Sequence, residues 1–441
     1  MSSKAAMWRS IKRLTNNRVI RNVAIVVSGT AGAQAISLVF SPLVTRLYTP
    51  EAFGILGTFL AILAVTAPLA ALNYPMAIVL PKHDDEAICL VQLSILLGLI
   101  NAILIAGLLW LWGGAFVALI GLEAMAPYMF ALPVAIGLSA FLTSMMQWVI
   151  RKKKFVFKAK IGVVQALLVN GAKVAIGMVI PQAGVLILVT TFGSGLHAFM
   201  LSRQVSSFAF STRSVRLLKP FSTYQKLAFR YKDFVFFRTP QSILNAASQG
   251  LPLVILTASF GASTAGFYAL SRMVLEAPAK LVGHSVVTVL YPRINEAAME
   301  RESIPRLVFN ATLALLAIGV LLFGSLIIVA PSLFGWAFGS EWRQAGNFTQ
   351  WLALWTIVSF AARPSVAAIP VLGLERFFLL HEVISAVVRL SALLVGALLW
   401  DSAIVAIALF SIVNIVSYSV LTLIVLQVAK RSSTYMDQVA L

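Results

Sequence analysis

The stretch SRMVLEAPAKLV (271–282) places Arg272, Glu276 and Lys280 at strict four-residue spacing inside an apolar segment running from about Gly266 to Tyr291. Residues four apart share one helix face. At 1.5 Å rise per residue the three groups spread over about 12 Å. Two chemistries fit. One is an intrahelical ion pair, in which Glu276 lowers the cost of burying a cation. The other is the cationic wall of a path for an anion.

Ionisable groups inside apolar spans are costly and face a bundle interior or water, and other segments of the chain carry more of them. Lys173 stands near the middle of 161–181, with Asn170 one turn away. Arg363 lies beside Pro364 in 346–372, and Arg389 is central in 377–399 with Glu382 seven residues earlier. Segment 234–260 offers Arg238, Gln241, Asn245 and Gln249 at helical spacing. Cations outnumber carboxylates, whereas an ion-pair scaffold would tend to balance them. The surplus favours the anion path, with Lys173, Arg238, Arg272, Lys280, Arg363 and Arg389 as its candidate binding residues. A diphosphate suits them, because Arg forks onto phosphate oxygens and Lys supplies a point charge. Glu276 and Glu382 are the carboxylates available for tuning these cations or for coupling to a proton or sodium gradient. No His/Cys/Glu spacing makes a metal site, and no nucleophile–base pair stands out. The expected cofactor is none.

These residues must be held by elements that cross a membrane. The 441 residues are 60% hydrophobic and 11% charged, against an apolar share of about half in soluble domains. At roughly 20 apolar residues per crossing, about twelve segments qualify: 22–46, 54–80, 87–112, 126–149, 161–181, 183–203, 234–260, 266–291, 307–329, 346–372, 377–399 and 403–427. The split of 161–203 is placed at Pro181-Gln182. Cys89 is alone, so an internal disulfide or thiolate metal cage is excluded. The N-terminus is basic and polar through Arg21, and the apolar run after it is too long for a cleaved signal, so 22–46 reads as a retained first span.

The formal charge of +19 arises from 34 Lys+Arg against 15 Asp+Glu. Its location decides its meaning. Lys4, Arg9, Lys12, Arg13, Arg18 and Arg21 precede the first span, RKKKFVFKAK (151–160) follows the fourth, and Arg203 to Lys232 follows the sixth. All fall on one side, while the other side holds Arg343, with Arg46 at a span end. By the positive-inside rule both termini are cytoplasmic. The charge is a topology signal, and no nucleic acid is expected as a partner. The expected organisation is a cytoplasmic N-tail (1–21), an N-terminal six-helix bundle (22–203), a basic linker (204–233), a C-terminal six-helix bundle (234–427) and a cytoplasmic C-tail (428–441). His284 and His381 read as polar groups near span ends. Trp110, Trp112, Trp336, Trp342 and Trp400 read as interfacial anchors.

The two halves echo each other. SPLVTRLYTPEAFGILGTF…TAPLAALNYPMAIVLPK (41–82) and LPLVILTASFGASTAGFYALSRMVLEAPAKLVGHSVVTVLYPR (251–293) share four features in order. These are an outgoing Pro (Pro42, Pro252), a turn ending in Gly (Gly54, Gly266), a central Pro (Pro68, Pro278) and a Pro-basic exit. Parallel repeats of this kind build transporters with a substrate path between halves. These stretches, with RLYTPEAFG and YPMAIVLPK foremost, resemble the polysaccharide-biosynthesis flippases (the Wzx type) of the multidrug/oligosaccharidyl-lipid/polysaccharide exporter superfamily.

The resemblance covers nearly the whole chain. It implies an all-α fold of two six-helix bundles arranged as a V around a cationic lumen, in the bacterial cytoplasmic (inner) membrane. It implies a multi-pass, non-enzymatic transporter that moves an undecaprenyl-diphosphate-linked oligosaccharide to the outer leaflet for O-antigen, capsule or exopolysaccharide synthesis. The implied partners are that polyprenyl-diphosphate-linked glycan, membrane lipids and the polysaccharide polymerase machinery. Rival readings are weaker. A cation-coupled multidrug antiporter of the same superfamily is expected to carry lumenal carboxylates, and a peptidoglycan-precursor flippase two further spans. A membrane glycan polymerase or ligase is expected to carry a large outer loop, whereas loops 113–125 and 330–345 are short and nearly uncharged.

Overall fold

The computed structural model describes residues 18–203, 220–300 and 302–439. The basic residues Lys4, Arg9, Lys12, Arg13, Arg213, Arg216 and Lys219 lie outside the described residues, as do the side chains of Arg18, Arg21, Lys280 and His284. Every regular element among the described residues is helical: α1 (Arg18–Leu47), α2 (Pro50–Ala70), α3 (Tyr74–Ala77), α4 (Asp84–Ile120), α5 (Ala131–Arg151), α6 (Phe155–Gly177), α7 (Ala183–Arg203), α8 (Phe221–Arg230), α9 (Thr239–Phe260), α10 (Ala262–Met299), α11 (Ile304–Phe338), α12 (Arg343–Ala361), α13 (Arg363–Ala368), α14 (Glu375–Trp400) and α15 (Ala403–Val439). A π turn, Phe234–Arg238, leads into α9.

Among the described residues, ten helices are long and apolar enough to cross a membrane. They coincide with the expected spans except the first and eighth, which fall on α1 and α10. The expected boundary at Pro181-Gln182 holds, since α6 ends at Gly177 and α7 begins at Ala183.

Other boundaries differ, each for a local reason. The second span, expected over 54–80, ends as a helix at Ala70. Leu72 and Asn73 then adopt φ of 48° and 55°, and Pro75 opens the short α3. The tenth, expected over 346–372, breaks at Ala362, where Pro364 opens α13. Proline lacks the amide that would continue the helix and clashes with the preceding turn. The basic 151–160 stretch is a tight turn rather than a loop. Lys153 takes φ 55°, and α6 already begins at Phe155. Part of the expected linker is helix α8. Trp342, read as an interfacial anchor, is 1% exposed and meets Phe53 and Phe267 edge-to-face at 5.0 and 6.0 Å.

The chain divides into two compact units, one running to Tyr48 and then from Ile55 to Gly250, the other taking Thr49–Gly54 and everything from Leu251. In the first unit Tyr74, Leu90, Trp148, Ile161, Leu201 and Leu227 bring six helices into one core. The basic end of α5 is locked onto α4: Arg151 Nε donates to Asp84 Oδ1 at 3.0 Å and Nη1 to the Pro81 carbonyl at 2.7 Å. Lys152 also pairs with Asp84. The α8 helix is tied to the same unit where Tyr74 donates to the Ala228 carbonyl at 3.0 Å and Tyr224 to Gln92 Oε1 at 2.8 Å. Asn73 Nδ2 donates to Thr239 Oγ1 and Ser242 Oγ at 3.3 and 3.2 Å, fixing the start of α9.

The second unit packs α11 on α12 and α14 on α15, with α10 against α12. It contains the crossing of α2 and α10. A Cβ on Gly54 would meet the Ala262 carbonyl oxygen at 1.6 Å, and one on Gly266 would meet the Pro50 carbonyl oxygen at 1.9 Å. Each glycine therefore opposes the residue one helical turn before the other. The contact is a local two-fold between the two positions that end the repeated turns, and it requires residues without a Cβ.

Candidate functional site

In the second unit Arg272 and Glu276 form the expected i,i+4 ion pair, with side chains 22% and 32% exposed. The guanidinium also stands 5.9 Å over the ring of Tyr268, one turn earlier. A second charged group comes from α14 and α15. Arg389, 11% exposed, lies 3.8 Å from Glu382, and its Nη1 donates to Asn414 Oδ1 at 3.4 Å. Asn414 is itself oriented by Nδ2 donating to the Phe410 carbonyl at 2.8 Å.

Two tyrosines lie near these groups. Tyr268 lies within reach of the charges on Arg272, Glu276 and Arg389. Tyr418 lies within reach of Glu382, Arg389 and Arg363. Arg363, exposed at the start of α13, sits with Nε 3.6 Å from the place a Cβ on Gly283 would occupy on α10. The result is a seam of Arg272, Arg389 and Arg363 interleaved with Glu276 and Glu382, so one positive charge is left over. Lys280 stands on the same helix, its side chain outside the described residues.

In the first unit Lys173 stands on α6, where Tyr48 donates to its backbone carbonyl at 2.9 Å. Asn170, one turn earlier, donates to Ser37 Oγ at 3.1 Å and to the Ala166 carbonyl at 2.8 Å. No carboxylate pairs with Lys173 among the described residues. Arg238 lies elsewhere, on the π turn, where Nη1 donates to Gln241 Oε1 at 3.1 Å. Lys173 and Arg238 share no hydrogen bond among the described residues. The apolar groove of about 500 Å³ between α4 and α5, lined by Leu99, Ile103, Pro133 and Phe141 among others, holds no charged group and is not an anion site.

Three partners of the arginines were not singled out from sequence: Tyr268, Asn414 and Tyr418. The first extends the four-residue series to Tyr268, Arg272, Glu276 and Lys280, and the other two are one turn apart on α15. That spacing was the available signal. His381 is better integrated than a span-end polar group. Its Nε2 lies 3.2 Å from the Ser417 carbonyl oxygen, and Ser385 and Ser417 hydroxyls meet at 2.7 Å.

Chemically, the second unit offers two partly shielded guanidinium groups, Arg272 beside an aromatic ring and Arg389 held by an amide, and an exposed third, Arg363. Such groups bind oxyanions. Residues 43–347 match the polysaccharide biosynthesis protein family. The chain belongs to that family. The succinoglycan biosynthesis transport protein ExoT of Rhizobium meliloti (strain 1021) is 24% identical over 344 residues, 76% of this chain and 66% of that relative, so the chain spans just under two thirds of it. The lipid II flippase MurJ, in an inward closed conformation, superimposes with a TM-score of 0.71 at 11% identity over 90% of this chain and 86% of that one. An inward-facing multidrug resistance MATE family transporter of the MOP superfamily gives 0.62 at 13% identity, covering 94% and 95%. The fold is thus shared with both. This member of the polysaccharide biosynthesis family is a multi-span membrane protein.

Proposed function

We propose that the protein is a flippase carrying a polyprenyl-diphosphate-linked oligosaccharide across the bacterial inner membrane, through twelve spans that include α1 and α10. The observation that carries this reading is the excess of cation on membrane helices. Arg272, Arg363 and Arg389 outnumber Glu276 and Glu382 in the second unit, and Lys173 has no carboxylate partner among the described residues in the first. In a low-dielectric setting an unmatched cation attracts an anion far more strongly than in water. A diphosphate supplies several oxygens to such groups. Family membership supports polysaccharide synthesis as the context, and the MurJ-like fold supports a lipid-linked cargo. The MATE likeness permits an organic-cation exporter, which the sign of the charged seam disfavours. Glu276 and Glu382 are the groups through which a proton or sodium gradient would act, and the exported units would pass to polymerase machinery.

Deleting the gene tests the reading. Lipid-linked repeat units should accumulate in the cytoplasmic leaflet while their synthesis continues. Normal delivery to the outer face in the deletion strain would overturn it.

A further inference from the structure

The polar face of α9 is not explained by an anion path. Arg238, Gln241, Asn245 and Gln249 are exposed on the first unit, on a candidate membrane span. They form a ladder: Arg238 donates to Gln241, and Gln249 Nε2 donates to Asn245 Oδ1 at 3.2 Å. Thr239 and Ser242, on the adjoining face, are engaged by Asn73, so the helix separates a structural polar face from an exposed one. Amide side chains are poorly tolerated against hydrocarbon and seek water or protein. A carboxamide offers two donors and one acceptor without net charge. That inventory matches vicinal hydroxyl groups, which both donate and accept, and it does not favour an anion over a neutral ligand.

Order along the helix adds a second point. One cation stands at the π turn, and only neutral amides follow over about 16 Å of helix. A glycosyl diphosphate has the same order, with charge first and neutral hydroxyls beyond. We propose that this ladder is the glycan-contacting rail of the substrate site, with the diphosphate toward Arg238 and successive sugars lying along Gln241, Asn245 and Gln249. The proposal rests on the lipid-linked glycan reading above and adds the direction in which the glycan lies.

The test uses full-length protein in proteoliposomes holding either a polyprenyl-diphosphate monosaccharide or the corresponding oligosaccharide, with translocation measured for each. Removing one hydrogen-bonding amide costs about fivefold where that amide is used. Gln249→Ala should lower the oligosaccharide-to-monosaccharide rate ratio about fivefold, and Gln241→Ala should lower the ratio less. Arg238→Gln should lower both rates by a similar factor. The rate on the monosaccharide lipid reports that each amide variant is folded, and size-exclusion elution of the purified protein reports it for Arg238→Gln. A ratio unchanged in both amide variants would overturn the rail, as would a greater effect at Gln241 than at Gln249. Wild-type protein that moves neither lipid would overturn the flippase reading, and the rail with it.

Discussion

At the scale of single residues, the seam on α10, α14 and α15 separates recognition from scaffolding. Arg389 is held by Asn414 and Glu382, so its guanidinium is aimed before any ligand arrives. Replacing it with Lys keeps charge but loses the planar fork. Export through Arg389→Lys should fall between wild type and Arg389→Gln, measured as surface glycan per molecule of protein in the membrane. Equal export from Lys and Gln variants would show that charge at this position is not used. Arg272 and Glu276 allow a cleaner separation, because removing one partner of a shielded pair leaves the other unmatched. On the anion-path account, Arg272→Gln lowers export while protein level persists, and adding Glu276→Gln does not restore export. A scaffold would behave in the opposite way: loss of protein in the single variant and recovery in the double. The Arg272–Glu276 contact could be read from four-residue spacing alone. The link from Arg389 to Asn414 and Tyr418 could not, because it joins two helices and depends on which of their faces pack.

At the scale of elements, the α2–α10 crossing and the start of α9 carry the constraints. The glycines at 54 and 266 each face a carbonyl oxygen so closely that a methyl group cannot enter without moving backbone. Overpacking of this kind costs about 1–3 kcal/mol. Gly54→Ala and Gly266→Ala should each lower the thermal unfolding temperature of the detergent-solubilised protein. An unchanged temperature in both would mean that the helices separate freely there. Asn73→Ala removes two hydrogen bonds to α9, each worth about 1 kcal/mol, and should destabilise by a comparable amount in the same assay. Sequence showed that Gly54 and Gly266 occupy matching places in the repeat. It did not show that they meet, since a repeat gives equivalence and not contact. Helix existence was legible because runs of roughly 20 apolar residues have few alternatives. Interruptions at Leu72–Asn73 and Ala362 were not, although Pro75 and Pro364 stand beside them, because a proline inside a span can kink a helix as readily as end it. Trp342 misled for a related reason: composition at a span end does not tell a side chain facing lipid headgroups from one packed on Phe53 and Phe267.

At the scale of the molecule, the account requires a fixed orientation and a cationic route. The basic turn at Lys153 should face the cytoplasm and the exposed turn at Gly261 the outside. In a Cys89→Ala background, Lys153→Cys should react with an impermeant thiol reagent only after the cells are opened, and Gly261→Cys in intact cells. Reaction of Lys153→Cys in intact cells would reverse the topology. The central claim is that the surplus of cations over carboxylates on membrane helices conducts the diphosphate. It is tested most directly by Lys173→Gln, Arg272→Gln, Arg363→Gln and Arg389→Gln, with membrane abundance and surface-glycan output measured side by side. The account predicts output reduced about tenfold or more in each variant at near-normal abundance, equivalent to about 1.4 kcal/mol or more of lost transition-state stabilisation. Normal output from all four at normal abundance would contradict it.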